Sequence, residues 1–267
     1  MHHCSRGNDR LTEKVIVRRE DSLAILLIHN PRLRNALSKA IIEQLCSALA
    51  DLGKDNQVGA VIIGSELEGV FASGGNIREL HALTGSTAGL RFAQQLQSVF
   101  MQIERLPKPV VAVVNGFCFG AGMELALAAD LRVAADTATF SSPQVNLGIL
   151  PGLGGGQRIV RLCGKGSAKR LILTGTRISA EEALRLGLVE VVVPEHELWT
   201  VARTISLALA SKPRGAIGLA KRALNFARQA SLQAGCAYEA SQFGLIRWPA
   251  AFASLHPEPL WNEEGCS

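Results

Sequence analysis

Aromatic residues are scarce in this chain. Phe, Trp and Tyr make up 5% of 267 residues, and there is a single tyrosine. A contiguous basic run is missing too. Lys and Arg outnumber Asp and Glu by 28 to 23, a formal net charge of +5, yet the basic residues are scattered from Arg18 and Arg19 to Lys221 and Arg222. Together these absences exclude a nucleic-acid-binding stripe. A diffuse positive field suits an anionic small molecule, such as a phosphorylated cofactor. The six cysteines, at 4, 46, 118, 163, 236 and 266, form no C-x-x-C pair, and the six histidines show no metal-ligand spacing. A chain of this length needs no disulfide staples. No apolar run approaches the roughly 20 residues of a bilayer-spanning helix. The N-terminal "MHHCSRGNDR" has no apolar signal core. The expectation is a soluble, cytoplasmic protein with reduced thiols, no nucleic-acid or membrane partner and no metal site.

Apolar residues, by contrast, are plentiful at 48%, enough for a sizeable core. "KVIVRRE" and "LAILLIHN" read as strands joined by a hairpin at Asp21–Ser22. Ser38 is placed to cap a helix running to Leu52. "VGAVIIGS" and "VVAVVNG" read as buried strands. "VFASGGN" reads as a tight glycine loop leading to a helix from Ile77. A long amphipathic helix is predicted from Ser86 to Leu106, ended by "PKP". "GFCFGAGMELALAADL", residues 116–131, reads as a glycine-led helix ending at Asp130. "LRVAAD" and "ATFSSPQ" read as short strands, and "GILPGLGGGQ" as a loop before helices near 156–163 and 166–174. "SAEEALRLG" reads as a capped helix and "LVEVVVPE" as the last strand. Only helices follow Glu197, with a break at Lys212–Pro213. This is an α/β body in which β-β-α units recur, with a helical C-terminal region. The expected division is 1–197 and 198–267.

Three glycine clusters stand out: "SGG" (73–75), "GAG" (120–122) and "PGLGGG" (151–156). A dinucleotide fingerprint fails because residue 125 is Leu, and a Walker loop fails because Lys165 is followed by Gly166. The first two clusters each follow an apolar strand and open a helix, where backbone N–H groups lack intrahelical partners. Two such groups converging on one oxygen make an oxyanion hole; tight turns and close packing explain the same glycines equally well. Glu124 is the one ionisable group between Phe119 and Ala129, an otherwise apolar stretch. Burial there raises a carboxyl pKa and suits it to proton transfer.

"NPRLRNAL", "FASGGNI", "PKPVVAVVNGFCFGAGMELALAADLRVA", "TFSSPQVNLGILPGLGGGQRI" and "LTGTRISAEEALRLGLVEVVVP", in that order over about residues 14–225, resemble the enoyl-CoA hydratase/isomerase (crotonase) family. The resemblance implies an α/β crotonase (ClpP-like) spiral of repeated β-β-α units with a helical C-terminal trimerisation region. It implies an acyl-CoA thioester substrate, coenzyme A being part of the substrate and not a separate cofactor, and a homotrimer or hexamer (dimer of trimers). It implies an oxyanion hole from the N–H groups of Gly75 and Ala121. Arg32, Leu33 and Arg34, with Ser73, Gly74, Asn76 and Ile77, match positions lining the coenzyme A. Glu124 matches the glutamate that binds and activates water in hydratases. The second family glutamate falls at Gln144, which orients water but exchanges no proton. The tail "RWPAAFASLHPEPLWNEEGCS" lacks the family's adenine-holding lysine. The reading adopted is an enoyl-CoA hydratase, with an isomerase or other reaction run on Glu124 alone, or a weakly catalytic CoA-ester binder, as alternatives. Glu79 and His81 read as surface helix positions. Cys118 reads as a packed small hydrophobe, and Tyr238 and Trp248 as packing or interface residues.

Overall fold

The computed structural model describes residues 12–246. The tail from 247, with Trp248 and Cys266, and Cys4 at the other end lie outside the described residues. Two compact units are present, Met1–Ser211 and Lys212–Ser267, and the division follows the helix that begins at Leu198.

The hairpin forms as its sequence predicts. β1 (Lys14–Glu20) and β2 (Leu23–His29) pair antiparallel, and Asp21 makes the turn with a left-handed φ of 52°. α1 (Lys39–Lys54) starts at Ser38, whose Oγ accepts the N–H of Ile41 at 3.2 Å. Beyond it the chain alternates between two sheets. β3 (Ala60–Ser65), β5 (Val110–Val114), β7 (Leu131–Ala135) and β10 (Val191–Val193) join the hairpin in a six-stranded sheet ordered β1-β2-β3-β5-β7-β10, parallel from β2 onward. β4 (Gly69–Ala72), β6 (Gly116–Phe119), β8 (Thr139–Ser141) and β9 (Arg177–Ser179) make a second sheet in that order. From β3 to β8 each turn of the resulting spiral is a strand in the first sheet, a strand in the second, then helix. β2, β3 and β5 are aliphatic along nearly their whole length because both faces are buried.

The helices are α2 (Ile77–His81), α3 (Gly85–Arg105), α4 (Ala121–Ala126), α5 (Gly155–Thr174), α6 (Ala180–Arg185) and α7 (Leu198–Ala210). α5 breaks at Gly164, with φ of 75°, which gives the two helical segments expected there. Two sequence expectations are corrected. "VFASGGN" is not wholly loop, since β4 takes its first part and pairs with β6. The segment after Gly116 is not one helix to Asp130. It opens as β6, and α4 is short, because Asp130 Oδ2 accepts the Val110 N–H at 2.7 Å and draws the chain back to β5. In the second unit, α8 (Arg214–Ala227) and α9 (Leu232–Phe243) pack as a pair, with the Phe226 and Tyr238 rings stacked 4.2 Å apart.

Candidate active site

α4 holds the site's one buried carboxylate, and glycine sets where α4 lies. A Cβ on Gly122 would stand 2.6 Å from Ala72 Cβ and 2.7 Å from Ala72 O. Only glycine lets the first turn of α4 press so closely on the end of β4. The contact brings two loops together, so that a Cβ on Gly75 would be 3.9 Å from Ala121 Cβ. Around them the backbone is stitched: Leu37 N–H donates to Gly74 O (2.7 Å), Asn76 N–H to Leu37 O (3.2 Å) and Gly120 N–H to Ser141 O (2.9 Å). The N–H groups of Gly75 and Ala121 donate to no group among the described residues.

Glu124 sits one turn into α4 and is 2% exposed. Its Oε1 accepts the backbone N–H groups of Leu153 (2.9 Å) and Gly155 (2.8 Å), and its Oε2 accepts Gln144 Nε2 (3.2 Å). Gly155 has no room for a side chain, since its Cβ would lie 2.2 Å from Glu124 Cγ. Burial is the largest influence and raises the carboxyl pKa; the three donors and the charge of Arg158 pull the other way. Arg158 is itself buried. Its Nε donates to Glu104 Oε1 (2.9 Å) and its Nη1 to Leu153 O (3.1 Å), so an ion pair between α3 and α5 steadies the loop that grips Glu124.

Gln144 lies in a 3-10 turn, Pro143–Leu147, and is buried. Ser142 Oγ donates to Gln144 Oε1 at 2.9 Å. That bond aims the amide nitrogen, not the carbonyl, at Glu124.

Gly75, Ala121, Glu124 and Gln144 all line one cavity of about 550 Å³. Ser73, Gly74 and Ile77 line it too, and its other walls are mainly aliphatic, from α2, α3 and the 147–153 segment. Arg32, Leu33 and Arg34 are outside the cavity lining but close to the glycine loop: Ser73 N–H donates to Arg34 O (3.2 Å) and Ser73 Oγ to Leu33 O (3.0 Å). Arg32 and Arg34 are exposed. Asn76 is committed to structure, its Oδ1 capping α2 at Arg78 N–H (3.1 Å) and its Nδ2 donating to Glu79 Oε1 (3.0 Å). Glu79 also caps α1 through Lys39 N–H (2.9 Å), and His81 is exposed. Cys118 is fully buried, which pushes its thiol pKa up.

A family model described as enoyl-CoA hydratase/isomerase matches residues 18–247. The chain belongs to this family. Relatives include a short-chain-enoyl-CoA hydratase of Clostridium acetobutylicum, 38% identical over 86% of this chain and 88% of its own length. A crotonyl-CoA hydratase of Syntrophomonas wolfei is 40% identical over 87% and 89%. The crystal structure of an enoyl-CoA hydratase from Bacillus anthracis superposes with a TM-score of 0.82 at 35% identity, covering 86% of this chain and 89% of that one. The two-sheet spiral described above is thus the crotonase fold.

Several residues of this crotonase site escape sequence reading. Leu153 and Gly155 act through main-chain N–H groups, so their side chains advertise nothing; the "PGLGGG" cluster was the only signal. Ser142 and Arg158 look ordinary in sequence. Asn35 is a hub: its Nδ2 donates to Ser65 Oγ (2.7 Å) and Ile28 O (3.2 Å), and its Oδ1 accepts Asn30 N–H (2.7 Å). It anchors the loop that carries residues 32–34.

Proposed function

We propose that this chain is an enoyl-CoA hydratase, adding water across the 2,3 double bond of a 2-enoyl-CoA. One observation carries the reading: Glu124 lines the same apolar cavity as Gly75 and Ala121, whose N–H groups donate to no group among the described residues. The thioester oxygen lies between the N–H groups of Gly75 and Ala121. Attack at the β-carbon builds negative charge on that oxygen, so fixed donors favour the enolate over the ground state. The Glu124 carboxylate takes a proton from water as the water oxygen bonds to the β-carbon. Gln144 has no proton to give. Glu124 therefore returns the proton to the α-carbon, the enolate collapses to the thioester, and the carboxylate is restored. Gln144 Nε2 steadies Glu124 Oε2 through the cycle.

Arg32 and Arg34 meet the phosphates of coenzyme A, while Leu33, Ser73, Gly74, Asn76 and Ile77 line its pantetheine and adenosine. Coenzyme A arrives with the substrate, and the chemistry uses no metal or redox group. The working assembly is a homotrimer or a dimer of trimers in the cytoplasm. The presence of an amide at Gln144 supports one rival, a double-bond isomerase using Glu124 alone. Crotonyl-CoA decides between them: hydration removes the conjugated thioester absorbance and yields a 3-hydroxyacyl-CoA, whereas an isomerase yields a shifted double bond with no water added.

A further inference from the structure

The cavity has more room than a four-carbon acyl group needs. Few polar side chains line it, and α3 contributes Gly89, Phe92, Ala93 and Leu96. These are spaced i, i+3, i+4 and i+7, on one helical face. From Gly89 to Leu96 the wall runs about 10 Å along the helix. The 147–153 segment is tied to this helix, Gln97 Nε2 donating to Gly152 O at 2.7 Å.

Gly89 is the informative residue. Glycine is disfavoured inside a helix relative to alanine. At Gly122 and Gly155 a neighbouring atom forces the choice, but a Cβ on Gly89 would meet nothing within 4 Å, and its φ is not in the left-handed region. Neither packing nor backbone conformation within the chain calls for glycine. Gly89 itself lines the cavity. At the cavity rim Leu147 and Leu150 are 56% and 73% exposed, apolar surface that a ligand chain would cover.

We infer that the acyl subsite accepts apolar acyl chains of about eight carbons or more, and that Gly89 sets this length by leaving room at the α3 wall. The inference rests on the acyl-thioester reading above and adds the substrate class. Each methylene buried should raise kcat/KM by roughly fourfold, until the cavity is filled.

The test measures kcat/KM for 2-enoyl-CoAs of four, six, eight and ten carbons, and in parallel the calorimetric binding of saturated butyryl-CoA and octanoyl-CoA. The expected result is a rise from four to eight carbons and tighter binding of octanoyl-CoA. Gly89→Phe should lower the eight-to-four ratio at least tenfold in both measurements; Gly89→Leu serves if the Phe variant does not fold. If no enoyl-CoA is hydrated while octanoyl-CoA still binds tighter and loses that advantage in the variant, the hydratase reading falls and this one stands. Equal or weaker binding of octanoyl-CoA, or an unchanged ratio in a folded variant, overturns it.

Discussion

At the scale of single residues, Glu124 carries the chemistry. Glu124→Gln should cut turnover by about 10²–10⁴-fold while coenzyme A binding survives, measured by crotonyl-CoA hydration and calorimetry. Because burial raises the Glu124 pKa, the acid limb of kcat/KM should lie above the ordinary glutamate range, and it should vanish in the variant. The stability sign follows. A carboxyl with a raised folded pKa costs nothing while protonated, and stability is lost as pH rises through that pKa. Glu124→Gln should therefore raise the melting temperature near neutral pH, and the gain should shrink toward the ordinary glutamate pKa. Ser142→Ala should free the Gln144 amide to turn its carbonyl toward Glu124, which raises the Glu124 pKa further and moves the acid limb upward. In a Gln144→Met background the same change should move nothing; an equal shift in both backgrounds refutes the link. Gln144→Glu places a second carboxyl beside the first. Repulsion raises one of the two pKa values, and crotonyl-CoA hydration should rise at least about tenfold. An unchanged rate in a folded variant counts against the one-carboxylate mechanism.

At the scale of elements, what the sequence revealed depended on how a segment is buried. β2, β3 and β5 were legible because both faces are apolar, and the capped helices α1 and α6 because Ser38 and Ser179 signal their starts. β4 and β6 were read as loop and helix because each is four residues long and held by partners far away in sequence. β9 gave no periodic signal in three residues. Within the site, side-chain chemistry was legible at Glu124 and Gln144. The grip on Glu124 was not, since main-chain donors leave no mark on residue type. Gly122→Ala tests the element contact. It should force α4 off β4 at a cost of about 1–3 kcal/mol, read from denaturant unfolding, and lower kcat further than the stability loss explains by parting Gly75 from Ala121. Normal kcat in that variant would detach α4 seating from the oxyanion site.

At the scale of the whole molecule, chain-to-chain assembly is the main expectation. Light scattering at micromolar concentration should give a mass about three or six times the 28.5 kDa of one chain, and a monomeric mass would remove the trimer from the proposal. One feature of the site bears on how the molecule changes over generations. Two of the three bonds that fix Glu124 come from the backbone of Leu153 and Gly155, so the carboxylate keeps its place whatever stands at position 144. A glutamine codon becomes a glutamate codon by a single base change. A lineage carrying this scaffold is one point mutation from a two-carboxylate site, and can cross that distance in either direction without first rebuilding the pocket.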